Sequence, residues 1–153
     1  MEFSFKKDVA APVDAAFAAL TDFAAYERQA LRRGAELRRI DAPQVQGAGA
    51  AWDARFLFRG KPRQLRLTIT EFMPPGALAV SGTSPSVNFE GSVELMAIAG
   101  NKTRMKIKLS VVPQSFAARL MVQSAKLARA STERRIETRL DQWVAMIEGR
   151  MGH

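Results

Sequence analysis

The spacing of hydrophobic and polar residues changes period three times along this chain. Phe3 and Phe5, with Lys7, alternate against Ser4 and Lys6, the period of two that marks a strand. From Val13 the spacing lengthens: Val13, Phe17 and Leu20 fall at i, i+4 and i+7 and form one apolar stripe on a helix. Pro12 opens that helix at its first position, where the missing N–H leaves nothing unsatisfied. Asp14 stands in the first turn, where the helix dipole favours a carboxylate. Thr21-Asp22 breaks the helix and caps a second short one. That helix runs through Tyr26 and Leu31 to Arg32-Arg33-Gly34, bases followed by a glycine stop.

From Ala35 to about Pro113 the period returns to two. Ala35 to Ile40 predicts a strand, followed by a loop through Pro43, Gly47 and Gly49. Trp52, Ala54, Phe56 and Phe58 alternate with Asp53, Arg55 and Arg59, with Leu57 interrupting the polar side. Leu65, Leu67 and Ile69 repeat the pattern, Leu78 and Val80 begin another strand, and Val87 to Leu95 and Met105 to Val111 complete the series. Turns at Gly60-Lys61-Pro62, Pro74-Pro75-Gly76, Gly82 to Pro85 and Gly100-Asn101-Lys102 are short, so neighbouring strands are antiparallel, with one apolar and one wet face. With the first segment this makes about seven strands.

After Pro113 the period becomes helical. Ser115 is the expected cap, and neither glycine nor proline follows until Gly149, a span of about 35 residues and roughly 50 Å if unbroken. Phe116, Leu120 and Leu127 lead the apolar stripe; Ile136, Leu140, Trp143, Val144 and Ile147 finish it. Ser124, Ala128 and Ser131 thin it in the middle, and Ala130-Ser131-Thr132 is the weakest helical step, where a kink is expected. The predicted architecture is α+β: one domain over residues 1–153, a curved antiparallel sheet of about seven strands around a long C-terminal helix, and two short helices after the first strand.

Composition narrows the chemistry. Of the 153 residues, 47% are hydrophobic and 25% charged, which fits a single packed domain and not a disordered chain. Without cysteine there is no disulfide, thiolate ligand or cysteine nucleophile, and the only histidine is His153. A zinc site or a Ser-His-Asp triad is therefore disfavoured, and neither a metal nor a cofactor is expected. Charges at Glu2, Lys6, Lys7 and Asp8 oppose a signal peptide, and no apolar run reaches the ~18 residues of a membrane span, so a cytoplasmic location is expected.

The net charge is +8, and no acid occurs from Leu95 to Thr132, where Lys102, Arg104, Lys106, Lys108, Arg119, Lys126 and Arg129 all lie. A second acid-free patch holds Arg55, Arg59, Lys61, Arg63 and Arg66. Such surfaces favour acidic lipid headgroups, nucleic acid or a carboxylated or phosphorylated ligand, or they simply keep the protein soluble. Nucleic acid is not expected, because base-stacking aromatics and recognised motifs are missing from the basic faces.

Strand, two short helices, a six-strand meander and one long amphipathic helix is an arrangement that resembles the helix-grip fold of the START-like superfamily. The local match is Val9-Ala10-Ala11-Pro12-Val13-Asp14-Ala15-Ala16-Phe17-Ala18-Ala19-Leu20-Thr21-Asp22-Phe23, similar to a first strand leading into a helix in these proteins. The resemblance, to lipid-transfer START domains and polyketide cyclase/dehydratases among others, spans nearly the whole chain. It implies an apolar cavity between sheet and long helix. Where many relatives carry tryptophan near proline, this chain reads Tyr26-Glu27-Arg28-Gln29, and no histidine or arginine–carboxylate pair carries over as catalytic.

The expected cavity is lined by Trp52, Phe56, Phe58, Phe89 and Met105 from the strands. Tyr26 stands at its mouth, and Leu120, Ser124, Leu127, Ala128 and Ser131 come from the helix. Asp53, Glu90 and Glu94 fall on polar strand faces. Glu71 continues the inward parity of Leu65, Leu67 and Ile69, which makes it the one candidate general acid or base. The reading is a binder or carrier of a hydrophobic or amphipathic, lipid-like or polyketide-like molecule, with an anionic group compatible with the basic rim. The alternatives are a cyclase/dehydratase-type enzyme and a protein-partner assembly or chaperone-assisting module that uses the basic face.

Overall fold

Every segment of period two becomes a strand in the computed structural model, which describes residues 1–151; His153 lies outside the described residues. The chain runs β1 (Glu2–Val9), α1 (Val13–Leu20), α2 (Phe23–Arg32), β2 (Glu36–Arg39), β3 (Ala51–Phe58) and β4 (Lys61–Met73). It continues as β5 (Ala77–Thr83), β6 (Val87–Ala99), β7 (Lys102–Pro113), α3 (Phe116–Leu127) and α4 (Arg129–Met151). The strands form one curved antiparallel sheet in the order β1-β7-β6-β5-β4-β3-β2. Its concave face and the helices enclose the core, in which Phe3, Phe5, Phe17, Phe23, Trp52, Ile69, Met105, Ile107, Val144 and Ile147 are buried. Each such side chain contributes about 1.5–3 kcal/mol by leaving water.

The helix signals act where they stand. Asp22 caps α2 by accepting from the Ala25 N–H at 3.2 Å, and Gly34 ends it with φ +79°. Pro12 lies one residue earlier than expected, at the cap, in extended geometry.

The long C-terminal helix is two helices. It breaks at Ala128 (φ −105°, ψ 34°), three residues before Ser131. Beside the break, the Ala128 carbonyl accepts the Ser131 and Thr132 hydroxyls at 3.2 and 3.1 Å in addition to the Thr132 N–H at 3.0 Å.

A second departure lies in β4. A bulge between Ile69 and Glu71 shifts the pairing by one residue, so Phe72 pairs with Leu78. The shift turns Phe72 inward, edge-on to Phe17 (5.3 Å between ring centres) and Phe23 (6.5 Å). Glu71, expected inside, is exposed, as is Met73. Burying an aromatic ring against two others is worth more than keeping strict alternation, and the carboxylate goes to water.

On the outer face Asp53 is buried although its parity is polar. Gln64 donates to it at 2.8 Å, and the Arg55 and Arg38 guanidinium nitrogens lie 3.3 and 3.6 Å away. The Gln64 hydrogen bond, followed by those bases, holds its pKa below the carboxylate norm.

The segment after β2 is tied by one carboxylate. Arg39 forks onto Asp41 at 2.6 and 3.0 Å, and Asp41 also accepts from the N–H groups of Val45 (2.9 Å) and Ala51 (3.2 Å). The Arg39 bond first, then the backbone donors, hold the Asp41 carboxyl well below its ordinary value. Its stabilising effect is therefore complete above the ordinary value of 3.8 and is lost as pH falls through the lowered native value. Asp41→Asn should lower the thermal midpoint at pH 7. The gap from wild type should narrow below about pH 4, as read by circular dichroism melts across pH.

Candidate functional site

The concave face divides along its length. Pairing across the sheet places Phe3, Leu109, Gly91, Val80 and Ile69 in one row, and Val111, Phe89, Gly82, Leu67 and Trp52 in the next. Towards α1, α2 and the second half of α4 these rows are buried. Towards the far end, Phe56, Leu65, Phe89 and Val111 are only half-buried, and Phe58 is 43% exposed. All five face inward by register, so this end of the concave face, the basin, keeps apolar surface in partial contact with water.

Two glycines shape the floor. A Cβ on Gly82 would stand 2.0 Å from the Phe89 ring, so only glycine lets that ring lie flat against β5. A Cβ on Gly91 would meet Val80 and Leu109 at 3.3–3.4 Å.

Of the cations that share this face, Arg63 is the one half-buried beside Phe56, while Lys61, paired with Phe58, is exposed. Arg63 pairs with Phe56 across β3 and β4, which puts it on the inward face, and its Nε is buried without a hydrogen-bond partner among the described residues. It also lines an adjoining cleft of about 650 Å³ at the sheet edge, with Leu31, Phe56, Leu57 and Pro62. A buried guanidinium N–H left unmatched is a donor without an acceptor, and a carboxylate or phosphate oxygen would satisfy it.

The residues expected to line a cavity separate into three groups. Phe56, Phe58 and Phe89 stand on the inward face at the half-buried end. Trp52 and Met105 are solid core: Trp52 stacks edge-on to Phe23 at 4.9 Å and donates its Nε1–H to Glu27 at 2.9 Å, and Met105 is fully buried. The helix residues lie outside. Leu127 is 92% exposed and Leu120 51%, and Ser124 and Ala128 are exposed too. The sheet-facing side of α3 is Ala118, buried, with Met121, Val122 and Ala125 half-buried. Ser131 is half-buried and lines a shallow groove along α4 with Ile136.

Tyr26 is a clasp. Its hydroxyl donates to the Leu20 carbonyl at 2.8 Å and accepts from Trp143 Nε1 at 3.2 Å, which ties α2 to α4. Arg63 was legible by parity, two residues before Leu65, but reads first as part of a charge patch. Glu27 carries no comparable sequence signal.

This architecture, a curved antiparallel sheet gripping a C-terminal helical segment, is the helix-grip fold. The chain belongs to the family described as polyketide cyclase / dehydrase and lipid transport, whose pattern matches residues 1–148. Among solved structures it is similar to the Zhui aromatase/cyclase of a Streptomyces species (TM-score 0.74, 16% identity, 99% of this chain and 95% of that one). It is also similar to a Staphylococcus aureus protein of unknown function (0.72, 16%, 100% and 96%). A third similarity is to Thalictrum flavum norcoclaurine synthase in complex with dopamine and hydroxybenzaldehyde (0.66, 13%, 96% and 86%). At these identities the likeness is one of fold. No curated protein matches the chain by sequence.

Two substitutions separate structure from site. Tyr26→Phe removes both hydrogen bonds of the clasp and should cost about 1–2 kcal/mol in urea denaturation. Ser124→Trp, on an exposed helix face, should leave stability within about 0.5 kcal/mol of wild type in the same measurement.

Proposed function

We propose that this protein binds and carries a hydrophobic or amphipathic small molecule, lipid-like or polyketide-like, in the open basin of its concave face. The observation that carries this reading is the set of half-buried inward side chains Phe56, Leu65, Phe89 and Val111, with the unmatched Nε of Arg63 next to Phe56 and Leu65. Covering apolar surface contributes about 25 cal/mol per Å² before ordering costs. An acidic end group reaching Arg63 adds a charge-assisted hydrogen bond, worth about 1.5–3 kcal/mol. Family membership supports the same class of ligand.

A cyclase/dehydratase-type reaction draws less support. Glu71 is exposed on the far side of its bulge, and the Tyr26 hydroxyl is held by Leu20 and Trp143. Neither stands ready to move a proton in the basin.

Native mass spectrometry after purification, with identification of extracted small molecules, tests the reading directly. A co-purifying lipid or polyketide-like species is the expected result. Titration by calorimetry with matched long-chain carboxylates and alcohols refines it: the carboxylate should bind more tightly, and Arg63→Gln should erase most of a roughly 10- to 100-fold preference. Phe89→Glu should abolish capture of both. A clean apo mass together with no heat from either series would overturn the proposal.

A further inference from the structure

The residues that fail to line the concavity leave a feature in need of a partner. On α3, Phe116, Leu120 and Leu127 are 75%, 51% and 92% exposed. At 100° per residue they fall within an arc of about 40° on the helix. Ala118, Met121, Val122 and Ala125 occupy the opposite side, where α3 packs on β7 and α4. The exposed stripe is therefore additional to the helix's own packing face, and its large apolar groups stand in water.

Charge selects the partner. Arg119 and Lys126, both exposed, flank one side of the stripe, and small residues Ala117, Ser124 and Ala128 flank the other. No acid occurs on α3 or anywhere from Leu95 to Thr132. A second copy of the chain laid on this face would bring these bases towards their equals. A narrow apolar stripe edged with lysine and arginine matches the boundary between acyl chains and anionic headgroups. The helix is about 18 Å long and cannot span a bilayer, but it can lie along one.

We propose that α3 is a membrane-docking helix that rests on bilayers rich in anionic lipid. Phe116, Leu120 and Leu127 enter the acyl boundary, and Arg119 and Lys126 contact the phosphates. This inference does not depend on the ligand carried in the basin.

Co-sedimentation with vesicles tests it, using equal parts phosphatidylglycerol and phosphatidylcholine against pure phosphatidylcholine. The wild-type chain should sediment with the anionic vesicles at least tenfold more strongly. Binding should weaken steeply towards 1 M salt, where the screening length falls to about 3 Å. Phe116→Ser with Leu127→Ser should weaken it at least tenfold. Arg119→Gln with Lys126→Gln should cost about fivefold per base, roughly 25-fold for the pair. These side chains are exposed, so both double variants should keep the wild-type thermal midpoint, which shows that lost binding is not lost folding. Absence of wild-type binding to anionic vesicles would overturn the proposal, as would full binding by the Phe116→Ser, Leu127→Ser variant. A concentration-dependent dimer in sedimentation velocity, abolished by that variant without any vesicle binding, would assign the face to a second copy instead.

Discussion

A seven-stranded sheet with one apolar face is wider than the helix laid across it. Strands about 4.8 Å apart make a sheet roughly 29 Å across, whereas a helix with its side chains covers about 10–12 Å. Curvature reduces the mismatch, and α1 and α2 close one end, where Phe17 and Phe23 reach Phe72 and Trp52. At the other end α3 packs on β7, and Phe56, Leu65, Phe89 and Val111 stay only half-buried. The half-exposed apolar side chains of the basin follow from this geometric shortfall, so the same constraint that organises the core also creates the surface suited to a ligand.

Holding α4 over the concave face takes polar contacts at fixed points, because an apolar stripe alone lets a helix slide. Lys7 is the inward residue of β1 that meets it. Its ammonium lies 3.1 Å from Glu137 and 2.8 Å from Asp141, one turn apart on α4. The hydrogen bond to Asp141 outweighs desolvation and raises the Lys7 pKa, so this tie persists across the physiological range. At the start of α4, Arg129 lies over the Phe3 ring and donates to the Glu2 carbonyl; near its end, the Glu148 carboxylate accepts from the Ala10 N–H at 3.2 Å. With the Tyr26–Trp143 clasp, α4 is fixed along its length and the basin keeps a defined shape.

The basic surface is less uniform than its composition implies. Asp8 takes the Arg104 fork at 2.8 and 3.2 Å with Lys102 nearby, and Asp53 draws in Arg38 and Arg55. Several of the excess bases are thus engaged on the outer sheet face. Arg63 is set apart by register, because it shares its face with Phe56 and Leu65 and not with the acids. Charge patterning alone groups it with its neighbours in sequence; pairing across strands separates it from them.

Much of the architecture is a local property of the sequence. Alternation at Trp52 to Phe58, Leu65 to Ile69 and Val87 to Leu95 determined which side chains face inward. Asp22 and Gly34 determined where α2 starts and stops, and short turns determined that the sheet is antiparallel. Two outcomes were decided only by tertiary structure. The inward turn of Phe72 needed the rings of Phe17 and Phe23, which lie about fifty residues away in sequence, and their packing reversed the parity that pointed Glu71 inside. The rotation of α3 about its axis needed the sheet: the helix is apolar on two sides, and small Ala118 and Ala125 permit close approach where Phe116 and Leu120 would hold it away. Periodicity reports that a helix has an apolar face, but when it has two, contact with the rest of the molecule determines which one is buried.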